Sequence, residues 1–405
     1  MLQKYHACVT HACVIFCIFA TSFIDSEDMY LPFVYGELAT RENFIDRDED
    51  RRQLKTFLTN GINVMIVSPR RWGKSSLVKA TMAELSEEDK SVRACFLDGF
   101  KIHSEYDFYN QFATAVINSV GNTLEKGIEI ARKYIPAISP QVTIRSDGVS
   151  TISLDLKTRP LQRSAEEILD LPEKLALSHG LHVIVCIDEF QQLAFLPQWK
   201  QMEGLMRSVW QQQENVTYCL YGSKRHMMSD IFNNSNNPFY RFGQVLYLKK
   251  IAREYWIPYI VNSFKSTGKT ISEEFANRIC DLTECHSWYV QQLSFFVWSG
   301  TRTEVTEQIF HDQFIMLLDT NAPVFEADTD GLTPSQINML VAIANGETHF
   351  SAKEVNELYS LGAPQTVSRN KKTLIRRDII EKDGDGYAFV DPIFKYWFKQ
   401  GHGIA

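Results

Sequence analysis

The sequence predicts an α/β protein with a parallel sheet, a helical region after the sheet and a small C-terminal domain. The first observation is that two uninterrupted apolar runs, 64–67 and 183–187, are typical of strands buried on both faces of a parallel sheet. The second is that residues 254–318 contain four stretches in which apolar side chains recur at helical spacing. The third is that residues 333–397 combine three helix patterns with one hairpin pattern.

Size and composition limit the class of protein. A chain of 405 residues is expected to form two or three domains. The net charge of −7 argues against a surface that coats nucleic acid non-specifically, although it allows a local basic surface. Three of the eight cysteines, Cys95, Cys186 and Cys219, lie inside apolar strand-like runs, and no pair has the spacing of zinc ligands. This usage indicates reduced cysteines in a cytoplasmic protein.

The loop after the first apolar run organises the rest of the chain. A strand, a tight loop and a helix in this order form a phosphate site, because the loop N–H groups point inward and the helix N-terminus adds its positive end. We expect the following residues to surround the phosphates: Pro69, Arg70, Arg71, Trp72, Gly73, Lys74, Ser75 and Ser76. Lys74 can reach the β- and γ-phosphates of ATP, and the Ser75 hydroxyl can bind Mg²⁺.

This loop departs from the Walker A pattern G-x-x-x-x-G-K-[ST] at one position, since Ser68 stands where the first glycine is usual. That glycine begins the loop and does not touch phosphate, so a small serine is a plausible replacement. The alternative interpretation is a helix that starts with Lys74 and Ser75 and binds no ligand.

A second signal for nucleotide binding is the run at 183–187, which ends in Asp188 and Glu189. Acids at the carboxyl end of a parallel strand lie where open α/β sheets bind ligands. Asp188 fits the Walker B acid that holds Mg²⁺, and Glu189 fits the group that orients and polarises the attacking water. Taken alone, the run is also compatible with a strand capped by two solvated acids. The lysine and serine of the loop favour the nucleotide interpretation.

Three segments together resemble the archaeal-type ATPase family, a branch of the AAA+/STAND P-loop ATPases. They are Phe33-Val34-Tyr35-Gly36, Phe44-Ile45-Asp46-Arg47 and the loop from Ser68 to Leu77. The resemblance implies a P-loop ATPase core of the AAA+/ASCE type over 29–248, a helical lid over 249–318 and a C-terminal winged helix. It also implies that Phe44, Ile45 and Arg47 line the pocket for the adenine. The alternative for these three residues is an acidic helix start that only packs.

The same resemblance implies two further roles in catalysis. Ser223, which follows a third apolar run, would sense the γ-phosphate, although Gly-Ser is also an ordinary turn. Arg241 would be an arginine finger that acts from a neighbouring subunit of a homo-oligomer or after a domain movement. Arg225 is its rival, and either arginine could instead form a structural ion pair.

A histidine in the predicted lid is also singled out by the resemblance. His286 would contact phosphate and report the nucleotide state to the lid. Cys285 and Ser287 replace the glycine and proline that are usual around this histidine in the family. The alternative is that His286 only starts a helix.

The N-terminal tail, 1–28, is largely apolar between Ala7 and Phe23. Three interpretations remain open: a translated upstream region with the true start at Met29, which we favour, a membrane anchor, or a secretory signal. We expect a chain without residues 1–28 to stay soluble and to bind nucleotide.

Pattern also assigns the remaining segments. Residues 141–157 alternate around a Ser-Asp-Gly turn, which predicts a β-hairpin inserted into the core. The polar stretch 319–332 is predicted to be a linker. The winged helix is predicted over 333–400, where Thr333 and Ser351 begin capping-box patterns.

The third helix of the predicted winged helix is basic. Its cationic side chains are Arg369, Lys371, Lys372, Arg376 and Arg377. Such a helix can enter the major groove of DNA, but the same charges suit a helix C-terminus and a solvated face. A DNA partner and a protein partner therefore both remain open, and DNA is not favoured.

The leading hypothesis is an ATPase that uses hydrolysis with Mg²⁺ as a conformational switch. Lys74, Ser75 and Asp188 would hold ATP and the metal, Glu189 would activate water, and the winged helix would present a surface to a partner. One alternative is a nucleotide-gated binding module with negligible turnover. The other is a DNA-binding regulator in which the ATPase is secondary. No contact with a membrane is expected unless the tail is a true anchor.

Overall fold

The computed structural model describes residues 31–36, 45–121, 124–134, 139–144, 150–155 and 161–404. The strands are β1 (Val64–Val67), β2 (Val92–Asp98), β3 (Ser139–Ile144), β4 (Ser150–Asp155), β5 (His182–Asp188), β6 (Val216–Gly222), β7 (Gln244–Tyr247), β8 (Ile380–Asp383) and β9 (Gly386–Phe389). The helices of the core are α1 (Asp48–Thr59), α2 (Lys74–Glu88), α3 (Glu105–Val120), α4 (Leu124–Tyr134), α5 (Leu161–Leu169), α6 (Leu171–His179), α7 (Trp199–Trp210) and α8 (Arg225–Asn233). Those after the core are α9 (Arg253–Ser266), α10 (Glu273–Leu282), α11 (Ser287–Gly300), α12 (Glu307–Thr329), α13 (Pro334–Ala344), α14 (Lys353–Leu358), α15 (Pro364–Arg376) and α16 (Pro392–Gly401).

A five-stranded sheet with the order β2-β5-β6-β1-β7 forms the centre of the core, and each neighbouring pair is parallel. Strands β1 and β6 are buried along their whole length, as their continuous apolar sequences predict. Helices α1 and α2 cover one face of the sheet, and α3, α5, α6 and α7 cover the other. Because the strands are parallel, β1, β5 and β6 bring their carboxyl ends to one edge, where ligands bind in open α/β sheets.

A hairpin of β3 and β4 pairs antiparallel, with Ile144 opposite Ser150. It overlaps the segment 141–157 that the sequence predicts to be an inserted hairpin, and it runs from Ser139 to Asp155. The tail 1–28 and Phe44 lie outside the described residues. None of the helices in the described part of the chain has the length and apolarity needed to cross a membrane.

Helices α9 to α12 follow the sheet, and α13 to α16 with the β8–β9 hairpin form the winged helix. The capping box that begins α13 is present, since the Thr333 N–H donates to Gln336 Oε1 at 2.9 Å. The box predicted at Ser351 is absent, because α14 starts one residue later than that box requires, with Ala352 at its N-cap. A single apolar cluster runs from the lid into the winged helix. The predicted class of fold, a parallel α/β core with a helical region and a winged helix, is confirmed.

The structure differs from the sequence-based prediction at 319–332, where a linker was expected. Helix α12 continues without a break to Thr329, through Pro323. Although this stretch is polar in composition, one side of the helix is buried, and Leu317, Asn321 and Phe325 lie on that side at intervals of four residues. The Phe325 ring packs edge-on against a phenylalanine of α16, with centroids 5.4 Å apart, and this contact holds the last turns in place.

Candidate active site

The phosphate loop takes the conformation that its sequence predicts. Gly73 has φ +85°, a left-handed conformation that costs glycine nothing, and it forms the N-cap of α2. Ser68, which replaces the first glycine of the pattern, is fully buried, and its N–H donates to Gly222 O at 3.4 Å. The serine therefore packs beneath the loop and leaves the N-terminus of α2 accessible to a ligand.

The charged residues predicted from the loop and from the acidic strand end meet at the edge of the sheet. Lys74 Nζ lies 3.4 Å from Asp188 Oδ1 and 3.3 Å from Glu189 Oε1. The Ser75 hydroxyl donates to Asp188 Oδ2 at 2.6 Å. The Lys74 side chain is only 7% exposed, so its charge is balanced by the two carboxylates and not by water.

Glu189 is held from several sides. Its backbone is left-handed, with φ +48°, which is uncommon outside glycine and is often found at functional sites. Glu189 Oε2 accepts hydrogen bonds from the Ser223 hydroxyl at 2.7 Å and from the Gln191 side-chain amide. Gly99 permits the close approach of this turn to β2, since a Cβ there would lie 2.5 Å from the Glu189 carbonyl oxygen.

Glu189 is also held in its ionised form. Burial raises the pKa of the Glu189 carboxyl, but the charge of Lys74 opposes this effect. Hydrogen bonds from Ser223, Gln191 and Lys74 add to the opposition, and the net pKa lies below its usual value. The sequence reasoning found Ser223 but missed Gln191, which is placed by the short helical turn at 190–195 after the strand.

A cavity of about 300 Å³ lies beside the phosphate loop. Its walls come from the N-terminal segment, the loop and the lid: Val34, Tyr35, Gly36, Ile45, Arg47, Arg71, Trp72, Gly73, Lys74, Ser75, Ser76, Ile251, Trp256, Ser287, Trp288 and Gln291. The ring of Tyr35 meets that of Trp288 edge-on, with centroids 5.8 Å apart. An apolar, aromatic cavity that ends in a phosphate loop has the shape and chemistry of a nucleotide site.

Ile45 and Arg47 both line the cavity, which the resemblance to the ATPase family implies to be an adenine pocket, but their contacts differ from each other. Ile45 contributes apolar surface to the cavity. The Arg47 guanidinium is nearly buried, and it donates to Trp72 O at 3.0 Å and to Lys249 O at 2.7 Å. Arg47 therefore ties the phosphate loop to the segment before α9, in addition to lining the cavity.

Arg71 and Trp288 join the phosphate loop to the lid. The Arg71 guanidinium carbon lies 4.1 Å from the centroid of the Trp288 ring, a cation–π contact across the cavity. Arg70, which is exposed, and Pro69, which is buried, do not line the cavity. Tyr35 and Trp288 were not predicted as site residues, because only tertiary packing brings them to the loop.

His286 lies behind the loop and does not line the cavity. Its ring meets the Trp72 ring edge-on at 6.4 Å, and His286 Nδ1 is buried without a hydrogen-bond partner in the described part of the chain. Burial, followed by the charges of Lys250 and Arg71, lowers the pKa of His286 to about 3. The neutral imidazole, at the start of α11, therefore packs against Trp72 and lies outside the residues that line the cavity, and its contact with phosphate stays a prediction.

The two candidate arginine fingers differ in position. The Arg241 side chain is exposed and stacks on the Tyr240 ring, 5.2 Å from its centroid, away from the cavity. Arg225 begins α8, and its guanidinium carbon lies 5.5 Å from the centroid of the Trp72 ring. Arg225 Nη1 is also 2.6 Å from Glu381 Oε2 in β8, so an ion pair joins the core to the wing of the winged helix.

The donor atoms at the edge of the sheet suit Mg²⁺ bound together with nucleotide phosphates. Within the described residues, no group of three or more His, Cys, Asp or Glu side chains could hold a metal. The Ser75 hydroxyl and the Asp188 carboxylate supply two adjacent oxygen donors. Mg²⁺ is usually bound by one or two carboxylates together with phosphate oxygens and water, and this donor set fits that pattern.

Comparison with known proteins agrees with this architecture. A family model described as "Probable winged helix domain" matches residues 323–400. The Walker-type ATPase PABY2304 of Pyrococcus abyssi superposes with a TM-score of 0.66 at 17% identity, covering 91% of this chain and 100% of that one. The ORC2 protein of Aeropyrum pernix, solved as ADPNP–ADP complexes, gives a TM-score of 0.56 at 12% identity, covering 93% and 98%. No curated protein matches the sequence.

These likenesses establish the fold, because the coverage of both chains is nearly complete, and they extend to the fold alone, because the identities are low. The order of the sheet, the phosphate loop at the carboxyl end of β1 and the acids at the end of β5 agree with them. The chain thus has the fold of the AAA+ P-loop ATPases that are similar to it, with a C-terminal winged helix domain.

Proposed function

We propose that this chain binds ATP with Mg²⁺, hydrolyses it, and uses the change of nucleotide state to move its lid and winged helix. The observation that carries the proposal is the contact of Lys74 and Ser75 with Asp188 and Glu189, at the end of an aromatic cavity. In this arrangement the lysine suits phosphate, the hydroxyl and the Asp188 carboxylate suit a metal ion, and the Glu189 carboxylate suits a water molecule. The similar ATPase of Pyrococcus abyssi is itself described as Walker-type.

Each of these residues has a distinct role. Lys74 exchanges its two carboxylate partners for the β- and γ-phosphates, while Ser75 and Asp188 hold Mg²⁺. When bound, Mg²⁺ neutralises phosphate charge and polarises the bond that is cleaved. Glu189, kept ionised by its neighbours, accepts a hydrogen bond from the attacking water and orients it.

The coupling between nucleotide and lid follows from contacts on the far side of the cavity. Trp288 lies in α11 and contacts Arg71 of the loop. One residue later, the Tyr289 hydroxyl donates to the Asp391 carboxylate, which caps α16 of the winged helix. A displacement of α11 by nucleotide therefore acts directly on the C-terminal domain. A module that binds nucleotide with negligible turnover would use the same contacts without needing Glu189.

A second candidate function is DNA binding through α15. Arg369, Lys372 and Arg376 are exposed on this helix, and no acid in the described part of the chain lies within ion-pair distance of them. By contrast, Lys371 lies over the Phe350 ring, 6.0 Å from its centroid, and is partly buried. The exposed cations would contact phosphates in the major groove.

Hydrolysis is tested with wild type, Glu189→Gln and the matched control Glu214→Gln, an exposed position on the loop before β6. We expect Mg²⁺-dependent ATP turnover in wild type and in Glu214→Gln. Glu189→Gln should bind ATP with similar affinity and lose at least about 100-fold in turnover, as happens when a catalytic group is removed. Equal turnover in wild type and Glu189→Gln would favour the gated binder, and no binding of ATP by wild type would overturn both.

DNA binding is tested by titrating the full chain with duplex DNA at increasing salt. Binding that weakens steeply with salt, and that the double substitution Arg369→Ala and Lys372→Ala abolishes, would support a DNA partner. Binding that is absent at low salt, or that the double substitution leaves unchanged, would direct the search to a protein partner.

A further inference from the structure

A turn built by two cysteines joins α10 to α11, next to the nucleotide cavity. The Cys285 N–H donates to Cys280 O at 3.0 Å, and the Glu284 N–H donates to Asp281 O at 3.2 Å. Glu284 is left-handed, with φ +47°. These bonds define a Schellman motif, in which the side chains at the first and last of its six positions touch. A pair of apolar side chains is usual there, whereas this chain has Cys280 and Cys285.

The Cys285 thiol lies against Cys280, where it donates to Cys280 O at 3.9 Å, and the two cysteines differ in access to solvent. Cys280 is fully buried, and Cys285 is partly exposed. The interaction with the Cys280 side chain, followed by the charges of Arg253 and Lys250, lowers the pKa of the Cys285 thiol to about 7 in spite of burial. Each of these cations also pairs with an acid, Arg253 with Asp281 and Lys250 with Glu284. A partly exposed thiolate beside a second thiol is the environment of a reactive cysteine.

A second pair of cysteines in the same molecule has the opposite properties. Cys186 and Cys219 are paired neighbours on β5 and β6, and both are fully buried. Burial raises the pKa of Cys186 well above its usual value. These two thiols lie in the sheet, out of reach of a dissolved oxidant. Their rate of oxidation is therefore an internal reference for the rate at Cys280 and Cys285.

The turn is mechanically connected to the cavity. His286 directly follows Cys285, is the N-cap of α11 and packs against Trp72. The first turn of α11 supplies Trp288 to the cavity wall. Closing a disulfide brings the two sulfurs to about 2.05 Å, which is closer than any non-bonded approach of two free thiols, and so it moves Cys285. Because Cys285 is also left-handed, with φ +55°, the displacement is transmitted to His286 through one already strained residue.

We propose that Cys280 and Cys285 are a peroxide-sensitive modification site, and that their disulfide displaces the start of α11 and weakens nucleotide binding. The Cys285 thiolate attacks one oxygen of hydrogen peroxide, the O–O bond breaks, and hydroxide leaves, which gives a sulfenic acid at Cys285. The Cys280 sulfur then attacks the Cys285 sulfur, the S–O bond breaks, and water leaves with the Cys280 proton. Two electrons pass from the two thiols to the peroxide. A dithiol such as dithiothreitol then reduces the disulfide and restores both thiols. The effect on nucleotide rests on the proposed function, whereas the thiol chemistry does not.

The chemistry is tested on the reduced full chain with hydrogen peroxide, followed by alkylation and tryptic mapping. Cleavage after Arg278 and Arg302 leaves both cysteines in one peptide. This peptide carries two alkyl groups when the cysteines were reduced, and it carries none and weighs two hydrogens less than the free dithiol when the disulfide has formed. We expect this change before any modification of Cys186 or Cys219. Oxidation of the sheet cysteines at the same rate, or further oxidation of Cys285 without a disulfide, would overturn the proposal.

The consequence is tested by measuring the Kd for ATP before peroxide, after it, and after dithiothreitol. We expect a reversible loss of affinity of at least about fivefold, the lower end of couplings between sites, in wild type and in the control Cys95→Ala. Cys285→Ser and Cys280→Ser should show no loss, and two independent variants guard against a folding defect in one. A disulfide that leaves the Kd unchanged would overturn the coupling. If the reduced chain binds no ATP, the proposed function fails, while peptide mapping still decides the fate of the thiol pair.

Discussion

The two halves of the nucleotide cavity are built on different principles. The phosphate half consists of Lys74 and Ser75 at the start of α2 and of Asp188 and Glu189 at the carboxyl end of β5, and these residues hold each other through ion pairs and hydrogen bonds. The base half takes its walls from residues 34–36, from Ile45 and Arg47, and from the lid. The first half exists once the sheet has folded, whereas the second exists only when the lid and the N-terminal segment lie against the core.

This difference suits the switch that we propose. A preformed, charged half can hold phosphates in one geometry, which hydrolysis requires. A half assembled from separate segments can open and close, which a change of conformation requires. The predictions below separate the two halves, from the largest expected effect to the smallest.

Lys74→Ala should remove the principal cationic contact that the phosphate half makes with ATP. We expect the affinity for ATP to fall at least about 100-fold, since each charge-assisted hydrogen bond lost costs about 1.5–3 kcal/mol. The matched control is Lys79→Ala, an exposed position on the same helix. Calorimetric titration of both variants measures the effect. An affinity within threefold of wild type, on the order of 0.6 kcal/mol, would show that the base half alone secures the nucleotide.

His286, which lies between the two halves, should make the free energy of unfolding depend on pH. Its pKa is about 3 in the folded chain against 6.5 in the unfolded one, so the unfolded state binds more protons between these values. Stability should therefore fall as the pH falls, with about 2 kcal/mol lost between pH 7 and pH 5 from this residue. Urea unfolding of wild type and His286→Gln measures the difference. Parallel pH profiles for the two proteins would contradict a neutral, buried imidazole.

Trp288→Ala should weaken the base half alone. We expect the affinities for ATP and ADP to fall equally, by about tenfold, because a stacked aromatic contributes about 1–3 kcal/mol per base and does not distinguish the phosphates. Trp298→Ala is the matched control on the same helix, since that indole donates to Thr267 Oγ1 and lies outside the cavity lining. A loss confined to ATP would mean that Trp288 acts through Arg71 on the phosphate half.

Arg241→Ala should have the smallest effect. Because its side chain is exposed and away from the cavity, turnover of dilute protein should change by less than about twofold, as for other surface substitutions. Arg225→Ala, beside the phosphate loop, should reduce turnover more. A large loss for Arg241→Ala that appears only at high protein concentration would show that a second subunit supplies the finger.

The phosphate half could be predicted from the sequence because its signals are local. A strand, a loop and Gly73-Lys74-Ser75 are contiguous, and Asp188 and Glu189 end a run that must be a buried strand. The order of helices and strands along the chain, including those of the winged helix, could be predicted from the spacing of apolar residues and from the capping pattern at Thr333. These features depend on backbone geometry within short segments, which composition and spacing report well.

The base half could not be derived in the same way. Trp288 and Tyr35 are more than 250 positions apart, and only tertiary packing places them together. The sequence shows His286 as a candidate phosphate contact, whereas its burial behind Trp72 depends on how α11 docks. The extension of α12 was missed for a similar reason, because the apolar side at Phe325 becomes visible only with its partner on α16.

Helix α12 has a mechanical consequence. It runs without interruption from the lid into the winged helix, and 23 residues at 1.5 Å each give it a length of roughly 35 Å. A rotation of the lid by about 10° would therefore carry the far end of this rod by about 6 Å, more than one helical turn. Small adjustments around a phosphate group would thus reach the C-terminal domain as a large displacement, with α12 as the lever arm.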